Sequence, residues 1–220
     1  MTSSALLTLG SIVAFYWYRV LQMAANARRR TGRAANLLPP EPLGRAIRIL
    51  WAPAVGVWIA HPIASAFLNK PSFILRPLWK PGPAIHAGLA WAAVLVVLAA
   101  FMATILCWKR MGKSWRMGID PAEKTPLVAT GPFAYVRHPI YALSAVMMLA
   151  TAVALPSPLL LAAAIVHISL LFWESSREEQ HLLRTHGAEY QNYRTRVGRF
   201  IPLSFKPYKG KDEARTARGA

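Results

Sequence analysis

Two short polar segments carry the residue types from which a binding or catalytic site can be built: GPFAYVRHPIY over 131–141 and WESSREEQHLLRTHGAEYQNYRTRVGRFIP over 173–202. In the first, Pro139 suits the opening position of a helix, where its missing N–H has no intrahelical partner to lose; His138 then caps it and Arg137 lies just outside. Free backbone N–H groups beside an arginine form an anion site. The structural alternative is an arginine on lipid phosphate and a histidine that only caps. In the second segment Glu174, Glu178, His181 and Leu182 fall on one helical face by their spacing. Gly187 suits a helix end, and Tyr190, Tyr193 and Arg196 recur every third residue on a short helix beyond it. Aromatic rings beside an arginine suit a planar or anionic ligand, whereas Arg177, Glu178 and Glu179 by themselves read as a solvated face. Asp120-Pro121 with Glu123 reads as a capping box and Thr130-Gly131-Pro132 as a turn, both structural features.

The elements that must position these segments are membrane helices. The 220 residues are 55% hydrophobic and 16% charged, with mean hydropathy +0.30, too apolar for an ordinary soluble domain. A helix crossing a hydrocarbon core of about 30 Å needs about 20 apolar residues. Four runs meet that need: Ser4 to Ala25, Ile49 to Leu68, Ala84 to Trp108, and Pro139 to Trp173. The last is too long for one span and is broken at Pro156-Ser157-Pro158, where two prolines remove backbone donors. It therefore divides into helices 139–155 and 159–173. The expected fold is an all-α integral membrane protein of five membrane helices, the last two a re-entering helical hairpin, with a cytoplasmic C-terminal helical segment. The expected units are three membrane helices over 1–108, a catalytic loop, hairpin and cytoplasmic helices over 109–205, and a disordered tail over 206–220.

Charge sets the expected orientation. Arg28, Arg29, Arg30 and Arg33 follow the first run and none precedes it, so the positive-inside rule places the N-terminus outside and argues against a signal peptide. With that choice 21 of the 26 basic residues fall in the inner segments 26–45, 109–138 and 174–220, and all nine acidic residues lie inside as well. Arg19 and Arg48 fall at inner helix ends, where long side chains can snorkel. A basic face on an anionic leaflet accounts for most of the +17 net charge, so membrane lipids are the expected partners and nucleic acid is not. The expected location is a bacterial inner membrane with the C-terminus cytoplasmic. His61 and His86 read as packing or interfacial residues near the outer side, and His167 as a hydrogen-bonding group of the bundle or a proton relay. A lone Cys107 excludes a disulfide framework and a CxxC metal site; no metal site is expected, and no GxGxxG, P-loop, HExxH or GxSxG motif occurs.

Together and in this order, the motifs at 131–141 and 178–202 resemble those of the isoprenylcysteine carboxyl methyltransferase family of membrane enzymes, which is related to phospholipid N-methyltransferases. The resemblance covers roughly the half of the chain from Met111 onward. It implies S-adenosylmethionine as cofactor on the cytoplasmic side and a lipophilic acceptor entering from the bilayer, methylated at a carboxylate oxygen or an amine. Carried onto this sequence, it implies cofactor contacts from Arg137, His138, Tyr141, Glu178, Glu179, Tyr190 and Tyr193, and catalytic roles for Arg137 and Arg196, with Arg196 orienting the acceptor. Leu143 departs from the family, many members of which carry a small residue two places after the motif tyrosine. Sterol reductases share a similar C-terminal arrangement, so a nicotinamide-dependent enzyme is the alternative, followed by a non-enzymatic membrane protein or a small transporter.

Overall fold

Proline and glycine set most of the helix boundaries. The computed structural model describes residues 2–31, 42–68, 72–79, 82–115 and 126–208, and all regular structure among them is helical. The helices are α1 (Thr2–Thr31), α2 (Pro42–Phe67), α3 (Pro83–Met111), α4 (Pro139–Ala154), α5 (Pro158–His186) and α6 (Ala188–Arg196), with short 3-10 turns at Gly112–Ser114 and Gly131–Ala134. Four of the six helices open on a proline, whose fixed φ and absent N–H suit that position. Ser157 caps α5, its side chain accepting from Leu160 N at 3.2 Å. Pro53 and Pro62 lie inside α2 without ending it.

Helices α1, α2, α3 and α5 are long and apolar enough to cross a membrane, which fits an integral membrane protein. α4, at 16 residues and about 24 Å, is shorter than the other four. The expected break in the last apolar run falls where the prolines put it, and the α4–α5 turn is fastened to the α2–α3 connection. Leu78 N donates to Pro156 O at 2.8 Å and Leu159 N to Ile74 O at 3.1 Å. His61 Nε2 meets Ser157 Oγ at 2.5 Å, and His86 Nε2 lies 3.3 Å from Ala154 O. The tip of the hairpin is thus level with the end of α2 and the start of α3, and His61 and His86 are packing residues there.

The helices pack in a ring in which α1 touches α2 and α3, α2 touches α5, α3 touches α4, and α4 returns to α5. Its interior is aromatic. Tyr16 stacks on Trp108 at 5.8 Å and Trp17 stands edge-on to Trp51 at 5.4 Å. His167 is buried among these rings; its Nδ1 accepts from Trp51 Nε1 at 2.8 Å, and its Nε2 lies 3.0 Å from Ser144 Oγ. An indole nitrogen is only a donor, so this contact fixes neutral His167 as the tautomer with its proton on Nε2. Both ring nitrogens are thereby engaged within the bundle.

Candidate functional site

α5 runs for 29 residues, about 44 Å, well beyond the thickness of a hydrocarbon core. Its apolar part ends at Trp173, and the remaining turns carry Glu174, Glu178 and Glu179 out beside the start of α4. Gly187 ends the helix at φ +50, a left-handed conformation that a side chain would strain, and α6 folds back from it. After α6 the chain turns sharply at Gly198, where an added Cβ would stand 1.9 Å from Ile201 O. That turn lays 198–199 along 136–138: Arg137 N donates to Gly198 O at 2.8 Å and His138 N to Arg199 O at 3.0 Å. Backbone pairing therefore joins the two polar segments.

At their junction lies a buried ionic cluster centred on Glu179, whose carboxylate is almost wholly enclosed. Arg137 Nε and Nη2 reach Glu179 Oε1 at 3.0 and 2.9 Å, and Arg199 Nη2 reaches Oε2 at 2.7 Å. Arg137 Nη1 also donates to Arg194 O at 2.9 Å and to Val197 O, which ties down the C-terminal end of α6. His138 occupies the cap position of α4, as its sequence predicts, yet makes no side-chain cap bond. Its ring turns to the carboxylates instead, with Nδ1 3.4 Å from Glu178 Oε2 and Nε2 3.3 Å from Glu179 Oε1, the second an ionic contact without hydrogen-bond alignment. Burial opposes the imidazolium, but the close contacts and negative charges of Glu178 and Glu179 outweigh it and raise the His138 pKa above its ordinary value. For Glu179 burial likewise favours the neutral acid, and His138, Arg199 and Arg137 together reverse that effect, holding the carboxyl well below the usual range. Tyr141 stacks on His138 at 5.5 Å and donates its phenol proton to Glu178 Oε1.

Beside the cluster opens a cavity of about 210 Å³ with two kinds of wall. Arg137, His138, Tyr141, Glu178, Tyr190 and Tyr193 form the polar and aromatic end. Tyr16, Trp17, Trp51, Trp108 and Trp115, from α1 to α3 and just beyond, form an aromatic chamber. The two tyrosines of α6 differ in what their hydroxyls do. Tyr193 Oη donates to Phe133 O at 2.6 Å, whereas Tyr190 Oη is buried with no hydrogen-bond partner among the described residues. Burial raises both phenols, so each remains protonated and able to donate.

Six of the eight residues singled out from the sequence therefore share this cavity, and Glu179 stands behind them as the buttress. Arg196 is not brought in; it is exposed at the last position of α6. Three residues gain roles that the sequence did not suggest. Arg199 makes the contact to Glu179, because the chain leaves helical geometry at Val197 and the next arginine is the one turned inward. Arg48 does not snorkel: its Nη2 pairs with Glu174 Oε1 at 2.6 Å and its guanidinium lies 5.0 Å from the Trp51 ring centroid, at the cavity wall. Tyr208, placed in the expected disordered tail, is docked, with its N donating to Ala134 O at 3.0 Å and its ring against Tyr193 at 5.1 Å. Residues 209–220 and the Asp120–Glu123 capping box lie outside the described residues. Leu143 packs into the apolar core and does not line the cavity. Glu174, Glu178 and Leu182 face the cavity as one helical stripe, without His181.

Residues 88–189, just under half of the chain, match the model of the phospholipid methyltransferase family. The match takes in both polar segments as far as the first turn of α6 and leaves α1 and α2 outside it. Among curated proteins, the nickel-cobalt-cadmium resistance protein NccN of Alcaligenes xylosoxydans xylosoxydans is 32% identical over 114 residues, 50% of this chain and 51% of that protein. The chain thus spans about half the length of this curated relative.

Proposed function

We propose that the protein is a membrane-embedded, S-adenosylmethionine-dependent methyltransferase that acts on a lipophilic acceptor at the cytoplasmic face. The observation that carries this reading is the joining, in one cavity, of a polar end, whose Arg137, His138, Tyr141 and Glu178 lie within the family-matched residues, and an aromatic chamber of Tyr16, Trp17, Trp51, Trp108 and Trp115. One end suits a charged, planar cofactor and the other an apolar substrate. The unpartnered Tyr190 hydroxyl supports the fit, since a buried donor without a protein partner calls for one from a ligand. With His138 protonated, the cationic groups of the cluster, Arg137, Arg199 and His138, outnumber its two carboxylates, and in that state the cluster suits an added carboxylate.

Bound there, the cofactor supplies a methyl group activated on a sulfonium. Glu178, held by Tyr141 and His138, would face the ammonium, Tyr190 would donate into the site, and the Tyr193 ring would pack on the adenine. Arg137 acts as a positioning residue as well as a charge, because most of its donors are committed to Glu179 and to the end of α6. Methyl transfer is an in-line displacement from a cation, so orienting the partners and excluding water can supply much of the rate. The buried aromatic chamber serves the exclusion, and the Arg48–Glu174 pair lies at its wall. The clustering of the α1 C-terminus, the α3 C-terminus and both polar segments at one end of the bundle supports a cytoplasmic site under the positive-inside rule. Among the described residues no group of three or more His, Cys, Asp or Glu is placed to hold a metal ion.

The test is binding of labelled S-adenosylmethionine and of NADPH to the detergent-purified protein, followed by methyl transfer to a prenylated thioether acid and to an aminolipid. Saturable cofactor binding with transfer to either acceptor class is expected. Binding of NADPH alone would move the protein to the reductase alternative.

A further inference from the structure

The chain beyond α6 is held at both ends and bare in the middle. At one end the pairing with 136–138 and the Arg199–Glu179 contact fix it, and Phe200 packs edge-on against Phe172 with ring centroids 4.6 Å apart. At the other, Tyr208 is bonded to Ala134 and packed on Tyr193. Between these points Ile201, Leu203 and Phe205 are 76%, 67% and 93% exposed, three large apolar side chains at alternate positions of an irregular strap. Phe172, the ring against which Phe200 leans, is itself 52% exposed and lies one residue before the apolar part of α5 ends. The strap thus leaves the site at the level where α5 leaves the apolar layer. Exposed Lys206 adjoins Phe205, and Lys209, Lys211, Asp212 and Glu213 follow in the sequence.

We propose that this strap is an interfacial anchor, with Ile201, Leu203 and Phe205 inserted into the bordering leaflet and Lys206 at its anionic headgroups. Two features select a lipid surface as the occupant. The bare side chains continue the exposed apolar belt of α5 through the Phe172–Phe200 contact, and the charge next to them among the described residues, Lys206, is basic and exposed, as juxtamembrane charges facing anionic leaflets are. Because the anchor ends on Arg199 at Glu179 and on Tyr208 at Tyr193, leaflet engagement would brace the site from outside. This inference does not depend on the methyltransferase reading.

The test uses the full chain carrying Cys107→Ala and one reporter cysteine, Phe205→Cys or Leu203→Cys on the strap, or Thr195→Cys on the exposed face of α6 as control. Each is labelled with a polarity-sensitive fluorophore and reconstituted in phosphatidylcholine vesicles, with or without phosphatidylglycerol and with a nitroxide on the upper acyl chain. Both strap labels should emit to the blue of the control and be quenched by the nitroxide lipid, more strongly with phosphatidylglycerol. Strap labels as water-exposed and unquenched as the control would overturn the proposal. So would shielding that grows only with the protein-to-lipid ratio, which would put a second copy of the chain over the strap.

Discussion

Replacing Glu179 by glutamine should unfasten the junction on which the site is built. The substitution preserves shape and one acceptor oxygen but removes the charge facing Arg137 at 2.9 Å, Arg199 at 2.7 Å and His138 at 3.3 Å. Breaking a buried ion pair by removing one partner costs about 3–5 kcal/mol, because the remaining charge is left uncompensated. Arg137 is almost fully enclosed, whereas the Arg199 side chain is 34% exposed and keeps part of its hydration, so the lower end, about 3 kcal/mol, is expected. That is roughly a hundredfold in the ratio of folded to unfolded protein. Unfolding of the detergent-purified protein in a mixed-micelle titration with SDS would measure it. Arg199→Gln made in the Glu179→Gln background should cost much less than in the wild type, since the two residues share one interaction. A loss below about 1 kcal/mol, the scale of exposed surface pairs, together with additive double-variant effects, would refute the reasoning.

Tyr190→Phe should leave stability unchanged or slightly raised, because it removes a buried unpartnered hydroxyl, yet weaken cofactor binding by about 0.5–1.5 kcal/mol in calorimetry. Arg48→Met should be strongly destabilising to heat, while Arg48→Met with Glu174→Met should recover much of the loss, as paired apolar replacement of a buried ion pair commonly does. The raised His138 pKa means that its ionic contribution is fully present below about pH 6.5 and is lost as pH rises through the folded-state value. The stability difference between wild type and His138→Phe should therefore shrink as pH is raised from about 6 to 9. Arg196→Ala, at an exposed position, should change stability by no more than about 0.5 kcal/mol and leave cofactor affinity unaltered.

Much of the fold was legible because membrane helices announce themselves through length, apolar composition and proline. The break at Pro156–Pro158, the opening of α4 at Pro139 and the stop at Gly187 were all visible as local backbone chemistry. The site was legible where spacing decides, as in the stripe Glu174, Glu178 and Leu182 and in the pair Tyr190 and Tyr193. It was illegible where the chain leaves regular geometry. Counting in threes selects Arg196, but α6 ends there, and the turn at Gly198 delivers Arg199 instead. Nor does a linear sequence tell an arginine at a helix end that reaches for lipid from one that reaches inward, so Arg48 found its partner only through the packing of α2 on α5. Tyr208 lies in a run whose composition suggests disorder, while its backbone and ring contacts are long-range.

The most direct test of the central claim is equilibrium binding of labelled S-adenosylmethionine to the purified wild-type protein and to Glu178→Gln, whose carboxylate faces the cavity and is held by Tyr141 and His138. The account predicts saturable binding to the wild type and a loss of about 1.5–3 kcal/mol, roughly ten- to a hundredfold in affinity, in the folded variant. No binding by the wild-type protein, or equal binding by both, would contradict it.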